Sequence, residues 1–185
     1  MKNPYAIGKS VYLRAPRLED AEGRWHEWFS DPETTQFLGE RWWPNTVEQQ
    51  RSFYEAAIVS KERLVLCICV RTTDEHIGVC NISNINWVHR YADIALVIGE
   101  LQYRNGSVAI ETLSLLLEIA FNRLNLLNLR STHSSANPHT PILEKLFGFK
   151  EIGRFNKLIF SMGKYIDAVY SQLSREDWYT RNRPN

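Results

Sequence analysis

The 185-residue chain has no surplus of either charge: 22 lysines and arginines face 21 acidic residues, for a formal net charge of +1. Without a strongly basic or acidic surface, neither nucleic acid nor anionic lipid is an expected partner. Long apolar runs are also lacking. Stretches such as Ile94 to Ile98 fall far short of the roughly 20 residues that cross a bilayer. The opening "MKNPYAIGKS" has no apolar signal-peptide core, so a cytoplasmic protein is expected. Cysteine is scarce: Cys67, Cys69 and Cys80 cannot all pair within one chain, and they read as small buried hydrophobes. The five histidines are scattered, and no His or Cys pair has zinc-ligand spacing, so no metal is expected. Both common nucleotide motifs, G-x-x-x-x-G-K-[ST] and a strand followed by G-x-G-x-x-G, are missing.

A hydrophobic content of 44% over this length suffices for one full core. With no repeat, linker or low-complexity segment in view, residues 1–185 are expected to form a single domain. "SVYLRAP" reads as a strand leading into one helix over "RLEDAEGRWHEWF", with Trp25 and Trp28 on its apolar stripe. Asp31 before Pro32 and Thr46 before "VEQQ" are helix starts. Between them lies the aromatic loop "GERWWPN". "LVLCICVR", "IGVCNISNI" and "YADIALVIG" form an antiparallel meander. A helix from about Ser107 and the strand "NLRSTHSS" follow. Then Thr140 and Pro141 open a short helix, and a closing hairpin precedes a frayed tail. The predicted class is α/β with a mixed, mostly antiparallel sheet flanked by helices.

"GELQYRNGSVAIETLSLLLEIAF" passes from a strand through a polar turn directly into an apolar helix. The free amides of Gly106 to Ala109 would then face whatever sits above the turn, and a pyrophosphate suits that place. Any helix has such an end, and Ser107 reads equally as a simple cap.

The order of pieces around this turn is similar to that of the GNAT acyltransferases, the acetyl-CoA-dependent N-acetyltransferases. That family's phosphate loop reads Arg/Gln-x-x-Gly-x-Gly/Ala, and Arg104, Asn105, Gly106, Ser107, Val108 and Ala109 occupy it here. The resemblance extends over "YLRAPRLEDAE", "WFSDPETTQFL", Asn137, "FGFKEIGRF" and "GKYIDAVYSQLSREDW". It looks most like the branch holding ribosomal-protein N-terminal and aminosugar N-acetyltransferases. Two departures stand out. Ser107 replaces the motif's glycine, where a Cβ crowds a pyrophosphate unless φ stays negative, and Gly106 is placed to absorb part of that need. Glu144 occupies the position where many members carry a thiolate-protonating tyrosine, which leaves that role without an evident holder.

The resemblance implies acetyl-CoA as cofactor and acetyl transfer to a primary amine within a ternary complex. The acceptor would be an aminosugar nucleotide or a protein N-terminal α-amine. An inactive acyl-CoA-binding or regulatory protein of the same fold is the alternative, and a plain interaction module using Trp42 and Trp43 is a third. Asp93 is the candidate base, or else a solvated strand-end carboxylate. The resemblance places Leu96, Val97 and Ile98 beside the thioester, with amides near Val97 and Ile98 as oxyanion donors, and Asn137 on the pantetheine arm. Asn137 reads otherwise as a turn residue before Pro138. Thr140 is the candidate proton donor to the thiolate, or an N-cap, with Tyr165 and Tyr170 in reserve. Trp28, Trp42, Trp43, Asn81, Asn84 and Tyr170 are the candidate acceptor contacts, although Trp28 at helical spacing from Trp25 also suits a core. A homodimer through the sheet edge or closing hairpin is the expected assembly.

Overall fold

A computed structural model describes residues 1–39, 43–161 and 163–182. Eight strands form one sheet in the order β1-β2-β3-β4-β5-β6-β8-β7. They are β1 (Ala6–Ile7), β2 (Val11–Arg14), β3 (Leu64–Val70), β4 (His76–Asn86), β5 (Tyr91–Ile98), β6 (Asn128–Ser134), β7 (Lys150–Ser161) and β8 (Lys164–Ser174). Every neighbouring pair is antiparallel except β5 and β6. The predicted mixed, mostly antiparallel sheet flanked by helices is the observed fold.

Both faces of the sheet are covered, which is why β3 reads as an unbroken apolar run. On one face α1 (Leu18–Glu22), α2 (Trp25–Ser30) and α4 (Val47–Val59) bring Ala21, Trp25, Trp28 and Ala57 against Val65 and Val79. On the other, α5 (Ser107–Glu118) packs Leu113, Leu116 and Leu117 against Leu66, Ile68 and Ile82. Trp178 of α7 (Arg175–Asn182) joins this second cluster, 5.2 Å from Phe121 ring to ring. Cys67, Cys69 and Cys80 are buried free thiols.

The two helix starts at Asp31 and Thr46 form as read. Asp31 accepts from the amides of Glu33 and Thr34 to open α3 (Pro32–Thr35), and Thr46 and Gln49 close a reciprocal capping box. Two readings are corrected. The single helix expected across Arg17–Phe29 breaks at Gly23, whose amide closes α1 on Asp20, and α2 starts afresh at Trp25. The tail is not frayed through residues 180–182, because α7 runs to Asn182.

Candidate active site

β5 and β6 pair only at Tyr91–Asn128, Ala92–Leu129 and Asp93–Arg130, and beyond that rung they part. The split holds a cleft of about 550 Å³. Its sides are Ile94 to Ile98 of β5, Ser131 to His133 of β6, the inner face of α5, and the start of α6 (Thr140–Phe147). Glu33, Thr34, Gln36, Phe37 and Leu38 close the front. Phe37 reaches the α6 side, edge-on to His139 with ring centres 6.3 Å apart.

Strand geometry decides which peptide groups of β5 face the split, because alternate residues point to opposite edges. The Gly99 amide donates to Ile77 O, toward β4, whereas Ile98 O accepts from Arg104 Nε at 2.9 Å. Leu96 and Ile94 therefore turn their amides and carbonyls into the split with Ile98, while Val97 turns its own toward β4. The expectation of an amide donor at Val97 is corrected to Leu96 and Ile98.

At the mouth, Gly106 takes φ +85°, the left-handed region that glycine adopts freely, and α5 begins at the next residue. Open space surrounds the position a Cβ would occupy on Gly106. Ser107 is the first helical residue, so its backbone is at negative φ. Asn105 Oδ1 accepts from both the amide of Ser107 (3.2 Å) and its hydroxyl (2.7 Å). The amides of Val108 and Ala109 lie in the first turn, where no intrahelical acceptor exists. This cradle fits a pyrophosphate: two amides without a partner among the described residues, a helix amino terminus and no side chain on Gly106. Arg104 stands behind it as a brace, its guanidinium donating to Ile98 O, Gly99 O and Thr34 Oγ1.

Below the split, Asp93 sits on the last paired rung. Its Oδ1 accepts from Arg130 Nε and its Oδ2 from Asn84 Nδ2, both at 2.7 Å. Asn84 has φ +51° in the irregular stretch of β4 beside Asp93, and that bend brings its amide round. Arg130 lies over the Tyr91 ring, 4.4 Å from its centre, which places Tyr91, Asp93 and Arg130 on one face. Thr132, two residues along β6, shares that face and pairs with Tyr170, whose ring meets Phe155 at 5.1 Å. This face of polar groups and rings adjoins the deep end of the cleft.

Several proposed residues lie elsewhere. Trp28 belongs to the core: it is 3% exposed, donates Nε1 to Glu100 Oε1 at 3.0 Å, and covers Gly99 so closely that a Cβ there would meet its ring. Trp43 is 80% exposed and does not line the cleft. Trp42 lies outside the described residues. Asn81 stands on β4, and its buried Oδ1 has no partner among the described residues. Asn137 and Thr140 line the cleft, and Asn137 also ties down the start of α6. Asn137 Oδ1 accepts from the amides of His139 and Thr140, and its Nδ2 donates to Thr140 Oγ1 at 2.9 Å. His139, rather than Thr140, is the residue preceding the helix. Phe37, and the partnership of His133 with Glu144, are not legible in the sequence, where nothing in the spacing of a lone phenylalanine or histidine marks a cleft.

A mostly antiparallel sheet opened at its one parallel pair, with a helix amino terminus at the mouth, defines the acetyltransferase fold. The chain belongs to the GNAT family: residues 10–150 match the acetyltransferase (GNAT) domain. It is an N-acetyltransferase, and acetyl-CoA is its acyl donor. Among proteins, the uncharacterized N-acetyltransferase p20 of Bacillus licheniformis is 27% identical over 167 residues, spanning 89% of this chain and 93% of that one. Among structures, the spermidine N-acetyltransferase of Vibrio cholerae in complex with CoA and spermine superposes with a TM-score of 0.84 at 19% identity. That match covers 92% of this chain and 99% of the other. Mycobacterium smegmatis RimJ, in complex with CoA-disulfide, superposes with a TM-score of 0.80 at 19% identity, over 90% and 83% of the two chains. No described helix is long and apolar enough to cross a membrane.

Proposed function

We propose that this N-acetyltransferase transfers acetyl directly to a primary amine bound on the Asp93 face, as part of a ternary complex. The carrying observation is the position of Asp93: it closes the split between β5 and β6, one residue before the first cleft-lining residue of β5. A primary ammonium must lose its proton before it attacks, and a carboxylate at that point takes it directly or through one water. Arg130 and Asn84 hold the carboxylate in place. The Val108 and Ala109 amides, with Gly106 between them and Asn105, would hold the donor's pyrophosphate. The Leu96 and Ile98 peptide groups would bond the pantetheine arm and the thioester carbonyl. Bound there, acetyl-CoA supplies the activated acyl group.

The acceptor we favour is an aminosugar nucleotide or a protein N-terminal α-amine. On this face Arg130 offsets the Asp93 carboxylate and the Tyr170 and Phe155 rings lie alongside, so there is no cluster of acidic groups to favour a polycation over a sizeable acceptor. Polyamine acetylation, which the Vibrio cholerae relative's name describes, is the comparison to make. We also propose that residues 1–185 act as one domain. The apolar residues Phe155, Leu158, Phe160 and Tyr165, all at least half exposed on the closing hairpin, support a homodimer.

The test is release of CoA thiol from acetyl-CoA across a panel of aminosugar nucleotides, N-terminal peptides and polyamines. Thiol should appear only with an acceptor of the first two groups. Tight acetyl-CoA binding with no turnover on any acceptor would favour the alternative, a non-catalytic acyl-CoA-binding protein.

A further inference from the structure

Beside the cleft, three polar side chains from three elements are buried in a chain. His133 of β6, Glu144 of α6 and Ser171 of β8 are 8%, 8% and 2% exposed. His133 Nδ1 lies 3.1 Å from Glu144 Oε1, and Ser171 Oγ donates to Glu144 Oε2 at 2.7 Å. Both carboxylate oxygens are thus occupied, and the carboxylate fixes the imidazole by its Nδ1 edge. The Nε2 edge has no partner among the described residues. His133 and Glu144 both line the cleft. Continuing the register beyond the Asp93–Arg130 rung sets His133 across the split from Leu96, whose peptide group faces inward. Packing alone does not call for this arrangement, since a buried ion pair contributes little net stability over an apolar filling.

We propose that His133 is a catalytic residue of the transfer, delivering the proton from Nε2 to the leaving sulfur of coenzyme A, with Glu144 and Ser171 as its positioning residues. This rests on the acetyl-transfer reading above. As the amine nitrogen bonds to the thioester carbon, the carbon–sulfur bond breaks and its electron pair goes to sulfur. The proton on His133 Nε2 passes to that sulfur, giving the free thiol. Asp93 passes the ammonium's first proton to solvent before the attack and takes the second as the amide forms, so with one proton delivered to sulfur the protons balance. Solvent entering the open cleft then takes the proton from Asp93 and restores one to His133. Glu144 stabilises the imidazolium before transfer, and the Ser171 hydroxyl carries part of the carboxylate charge left after it. Thr140, whose Oγ1 accepts from Asn137 Nδ2, is less suited, because an alcohol is a far weaker acid than an imidazolium. The other charged groups near His133 are few. Glu151 on β7 lies close enough to feel its charge and is paired with Arg154, His139 stands at the start of α6, and the cleft-lining residues of β5 and α5 are all apolar.

The decisive measurement is the thiol pKa of enzyme-bound CoA, read from thiolate absorbance, which needs no acceptor. An imidazolium beside the sulfur should hold that pKa below the ordinary value of about 8.5. His133→Gln should return it to the ordinary value and lower kcat by about 100-fold with little change in KM. Glu144→Gln should give an intermediate thiol pKa and a partial loss of kcat, and it serves as the second variant if His133→Gln does not fold. A bound-thiol pKa unchanged in the variant that folds, or a His133→Gln kcat within threefold of the parent, would overturn the proposal while leaving acetyl transfer intact. Absence of CoA binding by the unsubstituted protein would instead overturn both readings, and the two failures are thereby distinguished.

Discussion

Asp93 and Arg130 meet across the last rung that joins β5 to β6, with Arg130 Nε 2.7 Å from Asp93 Oδ1. The ion pair is about a third exposed, so its direct contribution to stability is small. Its place matters more: it ties the two strands at the point where they divide, with the carboxylate facing the acceptor side. Asp93→Asn should keep the bonds to neighbouring groups in outline but remove the proton acceptor. A fall in kcat/KM of about 100-fold or more is expected at pH 7. The deficit should shrink at higher pH, where the acceptor amine has already lost its proton. Rates measured from pH 6 to 10 check this, and a deficit independent of pH would make Asp93 a structural carboxylate.

Gly99 links the core to the cleft. Its carbonyl accepts from Arg104, and a Cβ built on it would stand 2.0 Å from Trp28 Cδ2. Trp28 has little room to retreat, because its Nε1 is held by Glu100 and its ring lies 4.9 Å from that of His76. Gly99→Ala should therefore cost about 1–3 kcal/mol, the usual range for overpacking. For a chain of this length, that corresponds to a Tm lower by roughly 3–10 °C. Scanning calorimetry checks it, and an unchanged Tm would show that the tryptophan moves freely.

The mouth of the cleft gives a paired prediction. Gly106→Ala meets no steric obstacle, so its cost is conformational, roughly 1 kcal/mol for an L-residue held at φ +85°. If binding needs that conformation, CoA should bind about fivefold more weakly to the alanine variant. Ser107→Gly removes the hydroxyl that bonds Asn105 and loosens the first turn of α5. Calorimetric titration should then show a modest loss of affinity, about threefold. Tighter binding after Ser107→Gly would mean instead that the serine Cβ crowds the phosphate.

Much of this architecture is legible from short-range chemistry. Asp31 before Pro32 and the Thr46–Gln49 box fix two helix starts, because capping is decided within four residues. The break at Gly23 is not legible in the same way, since "RLEDAEGRWHEWF" keeps its apolar spacing across the glycine. The break is evident only in the structure, where the Gly23 amide closes α1 on Asp20 and Trp25 and Trp28 pack against β3 and β4. The cradle was readable because it is contiguous, from Arg104 to Ala109. The His133–Glu144–Ser171 chain was not, since its members come from β6, α6 and β8 and meet only when the sheet is assembled. The choice between Val97 and Leu96 as inward-facing peptide groups likewise depends on which edge of β5 pairs with β4, a matter of register rather than residue type.

Stability should fall with pH through one identifiable group. His76 packs beside the Trp25 and Trp28 rings, with Nε2 3.0 Å from Gly78 O and Nδ1 3.5 Å from Asp20 Oδ1. Arg14 holds that same Asp20 through two bonds of 2.6 and 2.7 Å. Burial pushes the imidazole down to about 4, so His76 is neutral in the folded protein at pH 7. In the unfolded chain its value returns to about 6.5. Between those two values the unfolded state binds the proton and the folded state does not, so protons favour unfolding. The contribution is fully present above about pH 6.5 and is lost as pH falls toward 4. It is worth about 3 kcal/mol over that window, from the size of the shift. Below pH 4 both states carry the proton and this group adds no further slope. Asp20, whose carboxyl is also held below its ordinary range, acts in a lower window, so the two effects separate. Urea midpoints at pH 7, 5.5 and 4.5 should fall steadily for the parent protein. His76→Gln should start less stable at pH 7 because of the changed packing, yet show a much flatter decline. An equally steep decline in His76→Gln would assign the acid sensitivity to other groups.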